Sequence, residues 1–295
     1  MELLAQHICD CYPSFGRVKL NGMTSGRFEL YDFYYNEVKY VVKLVPYTSC
    51  NLFRYQWLCG NFVEGGLLSV IHTDNWAPFV KDDNKHLVVI YPYIPGLSLR
   101  EDGFEIFDYV KIIVPALFSL SKSINCHDIS NFPRFPIRKQ IDECWLVFSQ
   151  LPFVTNITKS KLKRFLSDID HVLENQPYEG GLCDAGFHNI IIDGETVRFI
   201  DFDDAAMTPK GYDVACYLAG LAEESLERNI NPSPYLELLL SNQTIVQRNA
   251  ILQLACLRVI WHICYYEGEK HYIDAPLLSR KMEILEFLQE YTHGK

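Results

Sequence analysis

Basic residues, paired cysteines and an export signal are scarce or missing here, and each shortage excludes a class of protein. Lys and Arg total 27 against 37 Asp and Glu, a formal net charge of −10. Because nucleic-acid binding needs a basic surface, no nucleic-acid partner is expected. The ten cysteines include no CxxC pair, which argues against a zinc site. Reduced thiols in a cytoplasm are predicted instead of disulfides.

The beginning of the chain lacks the pattern of a secretory signal. It reads MELLAQHICDCYPSF, in which charge and Pro13 interrupt the apolar residues. The longest apolar region of helical character, residues 245 to 266, carries Arg248, Arg258 and His262. Three polar residues at such positions predict a buried core helix instead of a membrane span. We therefore expect a cytoplasmic protein with no membrane partner.

The first ninety residues show the pattern of a β-sheet. Runs of β-branched and aromatic residues at 28–35 and 38–45 flank Asn36 and Glu37, which is typical of a tight hairpin. A further apolar strand at 87–91 ends at Pro92, Pro95 and Gly96. These residues are typical of a linker between lobes.

After this linker, the spacing of apolar residues changes from that of strands to that of helices. Apolar residues recur at helical spacing in residues 106–118, 162–173, 212–224, 244–266 and 276–291. With 295 residues and 48% apolar residues, the chain can bury two sizeable cores. The predicted fold class is α+β and bilobal, with a small β-rich lobe at residues 1–94 and a larger, mainly helical lobe at residues 95–295.

One acidic stretch interrupts the helices, and it is EGGLCDAGFHNIIIDGETVRFIDFDDA, residues 179 to 205. Short strands at 190–192 and 197–200 flank Asp193-Gly194-Glu195, a strong hairpin-turn signal. Pairing of these strands brings Asp184 and Asn189 towards Asp201. Two carboxylates and an amide oxygen are ligands that Mg²⁺ prefers. A solvated acidic hairpin without a ligand is the alternative that this feature leaves open.

The combination of D-x4-N, a short hairpin and IDFD resembles the aminoglycoside phosphotransferase and choline kinase family. These are small-molecule kinases with a protein-kinase-like fold. The segment GYDVACYLAG, residues 211 to 220, also fits the family pattern, in which Asp213 would be the N-cap of a helix. The resemblance is dense from about residue 181 to residue 220, and elsewhere it is only an order of elements.

The resemblance implies a kinase that uses ATP and Mg²⁺. Asp184 would be the catalytic base that orients the acceptor hydroxyl, and Asn189 and Asp201 would hold the metal. No GK[ST] follows a glycine loop, so the site is not of the Walker type. The residues expected at the nucleotide are Lys43 on a strand, the loop glycines Gly22 and Gly26, and the linker residues Tyr91, Tyr93 and Ile94.

The acceptor would lie over Asp184 and be chosen by the helical lobe. That lobe offers acidic residues at Asp203, Asp204, Glu223 and Glu224. Their charge favours a small cationic acceptor, such as an aminoglycoside-like or choline-like alcohol, although solvated acidic helix faces look the same.

Two departures from the family pattern leave a second interpretation open. Leu182-Cys183 stand where the family has His-Gly, and the glutamate that should pair with Lys43 has only Gln56 or Glu64 as candidates. A kinase-like protein that binds nucleotide without efficient turnover, or a scaffold, is therefore the alternative. A protein kinase is disfavoured, because only about ten residues separate Asp201 from the next helix.

Overall fold

The computed structural model describes residues 1–23, 28–61, 67, 69–98, 105–268 and 274–293. Within those ranges, no helix combines the length and apolar character needed to cross a bilayer. The described residues divide into an N-terminal antiparallel sheet and a mainly helical remainder. This arrangement confirms the predicted α+β, bilobal fold class, while the boundary at residue 94 stays a prediction.

The N-terminal sheet has five antiparallel strands in the order β1-β2-β3-β5-β4. Its strands are β1 (Asn21–Met23), β2 (Glu29–Tyr35), β3 (Val38–Pro46), β4 (Phe79–Lys81) and β5 (Asn84–Pro92). The β2–β3 turn is the predicted hairpin, with left-handed φ values of 49° at Asn36 and 65° at Glu37. The sequence pattern does not predict β4, which is only three residues long.

Each face of this sheet packs against a different set of helices. On the outer face, Val42 and Leu44 form a cluster with Leu4 and Ile8 of helix α1 (Glu2–Cys11). On the inner face, Val45 joins the large core shared with the helices. Since side chains alternate along a strand, Lys43 points to the inner face, as its position between Val42 and Leu44 predicts.

Among the described residues, the remaining α-helices confirm the five that helical spacing predicts and add three others. They are α2 (Ser49–Gly60), α3 (Ile106–Ile124), α4 (Ile137–Phe148), α5 (Asn156–Asn175), α6 (Tyr212–Glu227), α7 (Ser233–Leu240), α8 (Ile245–Gly268) and α9 (Ala275–His293). α4 and α7 escape prediction because both are short and begin beside prolines, Pro136 and Pro232. α8 is buried on all sides between residues 250 and 260, which confirms the predicted core helix.

Two small sheets frame the acidic stretch. Strands β8 (Ile190–Asp193) and β9 (Thr196–Phe199) form the predicted hairpin, with Gly194 at a φ of 60° in its turn. Strand β6 (Leu97–Ser98) pairs with β8. Strand β7 (Tyr178–Gly181) pairs with β10 (Ala206–Pro209), and Gly181 lies opposite Ala206. The two ends of the stretch are therefore tied together.

Gly211, which precedes α6, is a glycine whose replacement is opposed both by its backbone conformation and by a neighbouring side chain. Its φ is 86°, and an added Cβ would lie 2.9 Å from Ile251 Cγ1 in α8. We expect Gly211→Ala to lower the free energy of unfolding by about 2–4 kcal/mol, from backbone strain and overpacking. Urea unfolding measures this change.

Gly194→Ala is the matched control for that substitution. Its φ is also positive, but nothing lies within 4 Å of an added Cβ. Only the backbone strain remains, so we expect a loss of about 1 kcal/mol. Equal losses for the two variants would contradict the close packing of α6 on α8.

Candidate active site

The predicted metal-binding residues meet at the open end of the β8–β9 hairpin. The amide N–H of Ile200 donates to the carbonyl of Asn189 at 2.9 Å, so Asn189 adjoins the residue before Asp201. Asn189 Nδ2 donates to the main-chain carbonyl of Asp184 at 2.9 Å. This contact joins the first and the last residue of the D-x4-N motif. It also orients the amide oxygen of Asn189 away from that carbonyl.

Two residues of the site adopt the left-handed backbone conformation that non-glycine residues rarely take. Cys183, immediately before Asp184, has a φ of 69°, and Asp201 has a φ of 66°. Such conformations cost roughly 1–3 kcal/mol each and concentrate at functional sites. The strain therefore falls on the two segments that carry the predicted catalytic and metal-binding carboxylates.

Asp213 holds the strained segment, and its role differs from the predicted one. The N-cap of α6 is Gly211, so the prediction that Asp213 caps its own helix is wrong. Its carboxylate instead accepts the amide N–H groups of Leu182 and Cys183, at 2.8 and 2.9 Å. Burial raises the pKa of Asp213 to about 6, although both amides oppose that rise. Asp213 thus fixes the backbone just before Asp184.

Both carboxylate oxygens of Asp184 have partners. Arg258 Nη2 donates to Oδ1 at 2.5 Å, and His188 Nε2 lies 3.1 Å from Oδ2. Burial opposes ionisation, but Arg258 and then His188 outweigh it and lower the pKa of Asp184 to about 2. The carboxylate is therefore charged throughout the physiological pH range and held in one orientation.

Arg258 is a site residue that the sequence does not reveal. It lies on α8, is 5% exposed, and its guanidinium is 4.4 Å from the ring centroid of Trp261. A buried arginine needs a counterion, which Asp184 provides. The available signal is an arginine within the most apolar part of α8, but periodicity does not identify which residue it contacts.

Lys43 reaches the hairpin from the sheet. Its Nζ lies 2.8 Å from Asp201 Oδ1 and also contacts Asp203 Oδ2. Burial disfavours a charged lysine, but Asp203 and then Asp201 outweigh it and raise the pKa of Lys43. Lys43 is therefore a cation that the two carboxylates hold beside the predicted metal ligand.

The two aspartates differ in exposure and in pKa. The side chain of Asp201 is 38% exposed, whereas that of Asp203 is 4% exposed. For Asp201, Lys43 outweighs burial and lowers the pKa. For Asp203, burial prevails and raises the pKa to about 6. Asp201 thus faces outwards as an ionised carboxylate, and Asp203 lies behind it.

The glutamate expected to pair with Lys43 is replaced by another arrangement among the described residues. Gln56 on α2 is exposed, and Glu64 lies outside the described residues. The preceding residue, Tyr55, is buried and its hydroxyl donates to Asp203 Oδ1. α2 therefore reaches Lys43 through Asp203 instead of through a glutamate of its own.

The other predicted nucleotide-binding residues border this region to different degrees. The prediction that Gly22 lies in a loop is wrong, because Gly22 lies on strand β1, where it pairs with Tyr31; no atom lies within 4 Å of an added Cβ there. Gly26 lies outside the described residues. Tyr91 lines a small cavity of about 20 Å³ that Lys43 and Asp201 also line. The backbone N–H of Tyr93, an exposed residue, donates to the carbonyl of Lys39, and Ile94 is half-buried.

A second hollow lies elsewhere and lacks this chemistry. Its volume is about 350 Å³, and it lies between α4 and α5 with Trp145, Lys159 and Lys163 in its wall. None of the predicted site residues lines it.

No cluster of three or more His, Cys, Asp or Glu side chains suited to a metal occurs in the described ranges. A metal at Asn189 and Asp201 would therefore not take its other ligands from such a cluster among these residues.

The residues predicted to attract a cationic acceptor are mostly paired within the protein. Asp203 pairs with Lys43, and Glu224 pairs with Arg228 Nε at 2.5 Å. Asp204 is half-buried and also has an interaction. Their predicted contact with an acceptor remains a prediction, and Glu223 has the most extensive partners of the four.

Glu223 forms a largely buried ionic cluster between α6, α8 and α9, in which Lys281 is the most buried member. Its Oε1 lies 2.6 Å from Lys281 Nζ and 3.2 Å from His262 Nδ1. Burial alone would raise the pKa of Glu223, but His262 and then Lys281 outweigh burial and lower that pKa to about 2. The geometry supports a structural role for Glu223, since its charge is already neutralised by Lys281.

The effect of Glu223→Gln should therefore be mainly on the stability of the protein. The substitution leaves the buried ammonium of Lys281 without a counterion, so we expect a loss of about 3–5 kcal/mol in the free energy of unfolding. The neighbouring Glu224→Gln removes a more exposed pair and should cost about 1 kcal/mol or less. Chemical denaturation measures both, and a smaller loss at Glu223 would contradict the structural role.

Comparisons with known proteins identify the fold through structure alone. No protein-family model matches the chain, and no curated protein matches it by sequence. A microcompartment-associated aminopropanol kinase is similar with a TM-score of 0.69 at 14% identity, over 99% of this chain and 97% of that one. An amicoumacin kinase solved with AMP-PNP and Ca²⁺ gives 0.66 at 10% identity, over 98% and 93%.

A third similar structure is an ethanolamine kinase. The Plasmodium vivax ethanolamine kinase has a TM-score of 0.57 at 16% identity, over 94% of this chain and 84% of that one. In all three the match runs through both the N-terminal sheet and the helical part. The predicted resemblance therefore holds at the level of the fold, and the chain has the protein-kinase-like fold of the aminoglycoside phosphotransferase and choline kinase group of small-molecule kinases.

Proposed function

We propose that this protein is an ATP- and Mg²⁺-dependent phosphotransferase that phosphorylates a hydroxyl group of a small, amine-bearing molecule. The observation that carries the proposal is the 2.8 Å contact between Lys43 Nζ and Asp201 Oδ1. It brings a buried cation from the sheet beside an ionised carboxylate at the hairpin end. Phosphoryl transfer requires such a pairing, because the phosphates need a cation and the metal needs a carboxylate.

The chemistry of the donor set fits Mg²⁺. Asp201 offers an ionised, partly exposed carboxylate, and Asn189 offers an amide oxygen because its Nδ2 is engaged by the carbonyl of Asp184. Hard oxygen ligands from one carboxylate and one amide match a magnesium ion that keeps waters and phosphate oxygens. When bound, the ion would neutralise charge on the phosphates.

The nucleotide is assigned to the side of the site formed by residues 1–94. Lys43 would contact the phosphates, while Gly22 and Gly26 would allow the backbone of their segment to approach them. The adenine would lie against Tyr91, Tyr93 and Ile94. The similarity to an amicoumacin kinase solved with AMP-PNP supports ATP as the donor.

Asp184 would orient the acceptor hydroxyl at the side formed by residues 95–295. In the transfer, the acceptor oxygen forms a bond to the γ-phosphorus and the bond from that phosphorus to the β–γ bridging oxygen breaks, which releases ADP. The hydroxyl proton passes to Asp184 Oδ2 or to solvent. A carboxylate with a pKa of about 2 is a weak base. Its main contribution is then positioning, which suffices for a loose transition state.

The amine on the acceptor is supported by the similar structures and by the net charge of −10. By their names, those enzymes act on aminopropanol, ethanolamine and amicoumacin. Three of the four acidic residues predicted at the acceptor are already ion-paired. The amine therefore needs recognition beyond those three side chains.

Asp184→Asn tests the catalytic assignment. We expect kcat to fall by about 100-fold or more, because the amide cannot orient and deprotonate the hydroxyl, while the affinity for Mg-ATP stays unchanged. Coupled detection of ADP release with a panel of amino alcohols and aminoglycosides measures turnover. Asp193→Asn, on the exposed turn of the same hairpin, is the matched control and should retain wild-type activity.

Loss of nucleotide affinity in Asp184→Asn would contradict the separation of roles between acceptor and nucleotide. If the wild-type protein binds Mg-ATP but releases no ADP above background with any acceptor, the alternative of a nucleotide-binding protein without turnover replaces the kinase proposal.

Arg258→Met tests how the arginine affects Asp184. Without the cation, burial should raise the pKa of Asp184 well above 2; Asp213, which is buried without a comparable cation, reaches about 6. The wild-type kcat/KM should show no titration of Asp184 above about pH 5, whereas the variant should lose activity as pH falls towards 5.

Arg228→Met, which removes an arginine of a more exposed cluster, should keep the wild-type pH profile. Thermal melting at each pH separates unfolding from titration. An unchanged acid limb in a folded Arg258→Met protein would show that Arg258 does not set the pKa of Asp184.

A further inference from the structure

We propose that Tyr55 is a positioning residue of the nucleotide site, which holds Asp203 so that Asp203 in turn holds Lys43 towards the phosphates. This inference rests on the proposed function. In the family that the sequence resembles, a helix glutamate would pair with the lysine. Here the neutral Tyr55 and the carboxylate of Asp203 would together do the same.

The two oxygens of Asp203 have separate partners. The hydroxyl of Tyr55 donates to Oδ1, and the ammonium of Lys43 contacts Oδ2. A hydrogen bond to one oxygen restricts rotation of the carboxylate, so the other oxygen stays directed at Lys43. Removing the hydroxyl would leave the buried carboxylate free to turn away from the ammonium.

Asp201 and Asp203 differ in exposure, and this difference suits them to different roles. Asp201 is 38% exposed and faces the proposed metal, whereas Asp203 is 4% exposed. When Asp201 turns to the metal, Lys43 still needs a counterion because it is only 7% exposed. Asp203 is the carboxylate that remains, and it remains in place only if something fixes it.

α2 is fastened to the segment that contains Asp203 by more than this hydrogen bond. Arg54 Nε donates to the carbonyl of Ala205 at 2.6 Å. The ring of Trp57 stacks on Phe202, with centroids 5.7 Å apart and an interplanar angle of 14°. Tyr55 thus lies between two other anchors of α2, and its hydroxyl is presented from a fixed position.

Charge explains why a tyrosine can take this place. A glutamate at position 55 would add a third carboxylate beside Asp201 and Asp203, and like charges disfavour ionisation. Because Asp203 already provides the negative charge for Lys43, the helix needs to provide only a neutral donor. The phenolic hydroxyl of Tyr55 is such a donor.

Tyr55→Phe tests the proposal, because it keeps the ring and removes the hydroxyl. Isothermal titration with Mg-AMP-PNP should show affinity about tenfold weaker than wild type, as expected for loss of a hydrogen bond to a charged group. The KM for an acceptor should stay unchanged. In EDTA without metal, the same fold loss should persist for AMP-PNP, because the effect acts through Lys43 and not through the ion.

Tyr12→Phe is the matched control. Tyr12 is also buried and its hydroxyl donates to the carbonyl of Val88 at 2.9 Å, in the same sheet but in contact with no site residue named above. It should lower the melting temperature about as much as Tyr55→Phe and leave nucleotide affinity at the wild-type value. A purely structural role of Tyr55 would make the two variants behave alike.

Asp203→Asn gives a second measurement, and on its own it does not require the tyrosine variant to fold. It should weaken AMP-PNP binding. In the double variant, Tyr55→Phe should cause little further loss, because both substitutions act through Lys43. Fully additive losses, or wild-type affinity in Tyr55→Phe, would overturn the proposal. If the wild-type protein binds no nucleotide, the proposed function fails first, and this inference fails with it.

Discussion

The arrangement of the site depends on one buried charge, the ammonium of Lys43. A lysine that is 7% exposed cannot remain ionised without nearby carboxylates, and the N-terminal sheet provides none to it in the described contacts. Asp201 and Asp203 come from a hairpin about 160 residues later in the chain. The need to neutralise this lysine therefore joins the sheet to the helical part at the point where nucleotide phosphates would lie.

Two departures from the family pattern have local replacements in the structure. The family's His-Gly before the catalytic aspartate is absent, but Asp213 holds the backbone there and Arg258 holds the carboxylate of Asp184. The helix glutamate is absent among the described residues, and Asp203 occupies the position beside Lys43. In both places other residues make contacts that hold the predicted site residues in position.

The sequence predicts those features that repeat or that a short motif encodes. The β2–β3 and β8–β9 hairpins follow from alternating apolar runs and turn residues, and α8 follows from helical spacing. The proximity of Asp184 and Asp201 could be predicted because the two residues flank one short hairpin, and the resemblance to a family supplied their expected roles. Tyr55 and Arg258 could not, because apolar periodicity predicts that a residue is buried but not which distant side chain it meets. Helix α1 is not predicted for another reason, because its ten residues are too few to show a clear helical spacing of apolar residues.

The pairing of β7 with β10 makes residues 181 to 206 a closed ring, with Gly181 opposite Ala206 at its base. Inside the ring, the β8–β9 ladder fixes a second register. An insertion within any of these four strands would break one of the two registers, whereas the exposed tip around Gly194 can lengthen freely. Length variation among natural homologues should accordingly spare the strands and occur at that tip, and the contact of Asn189 Nδ2 with the carbonyl of Asp184 should keep the spacing between those two residues constant.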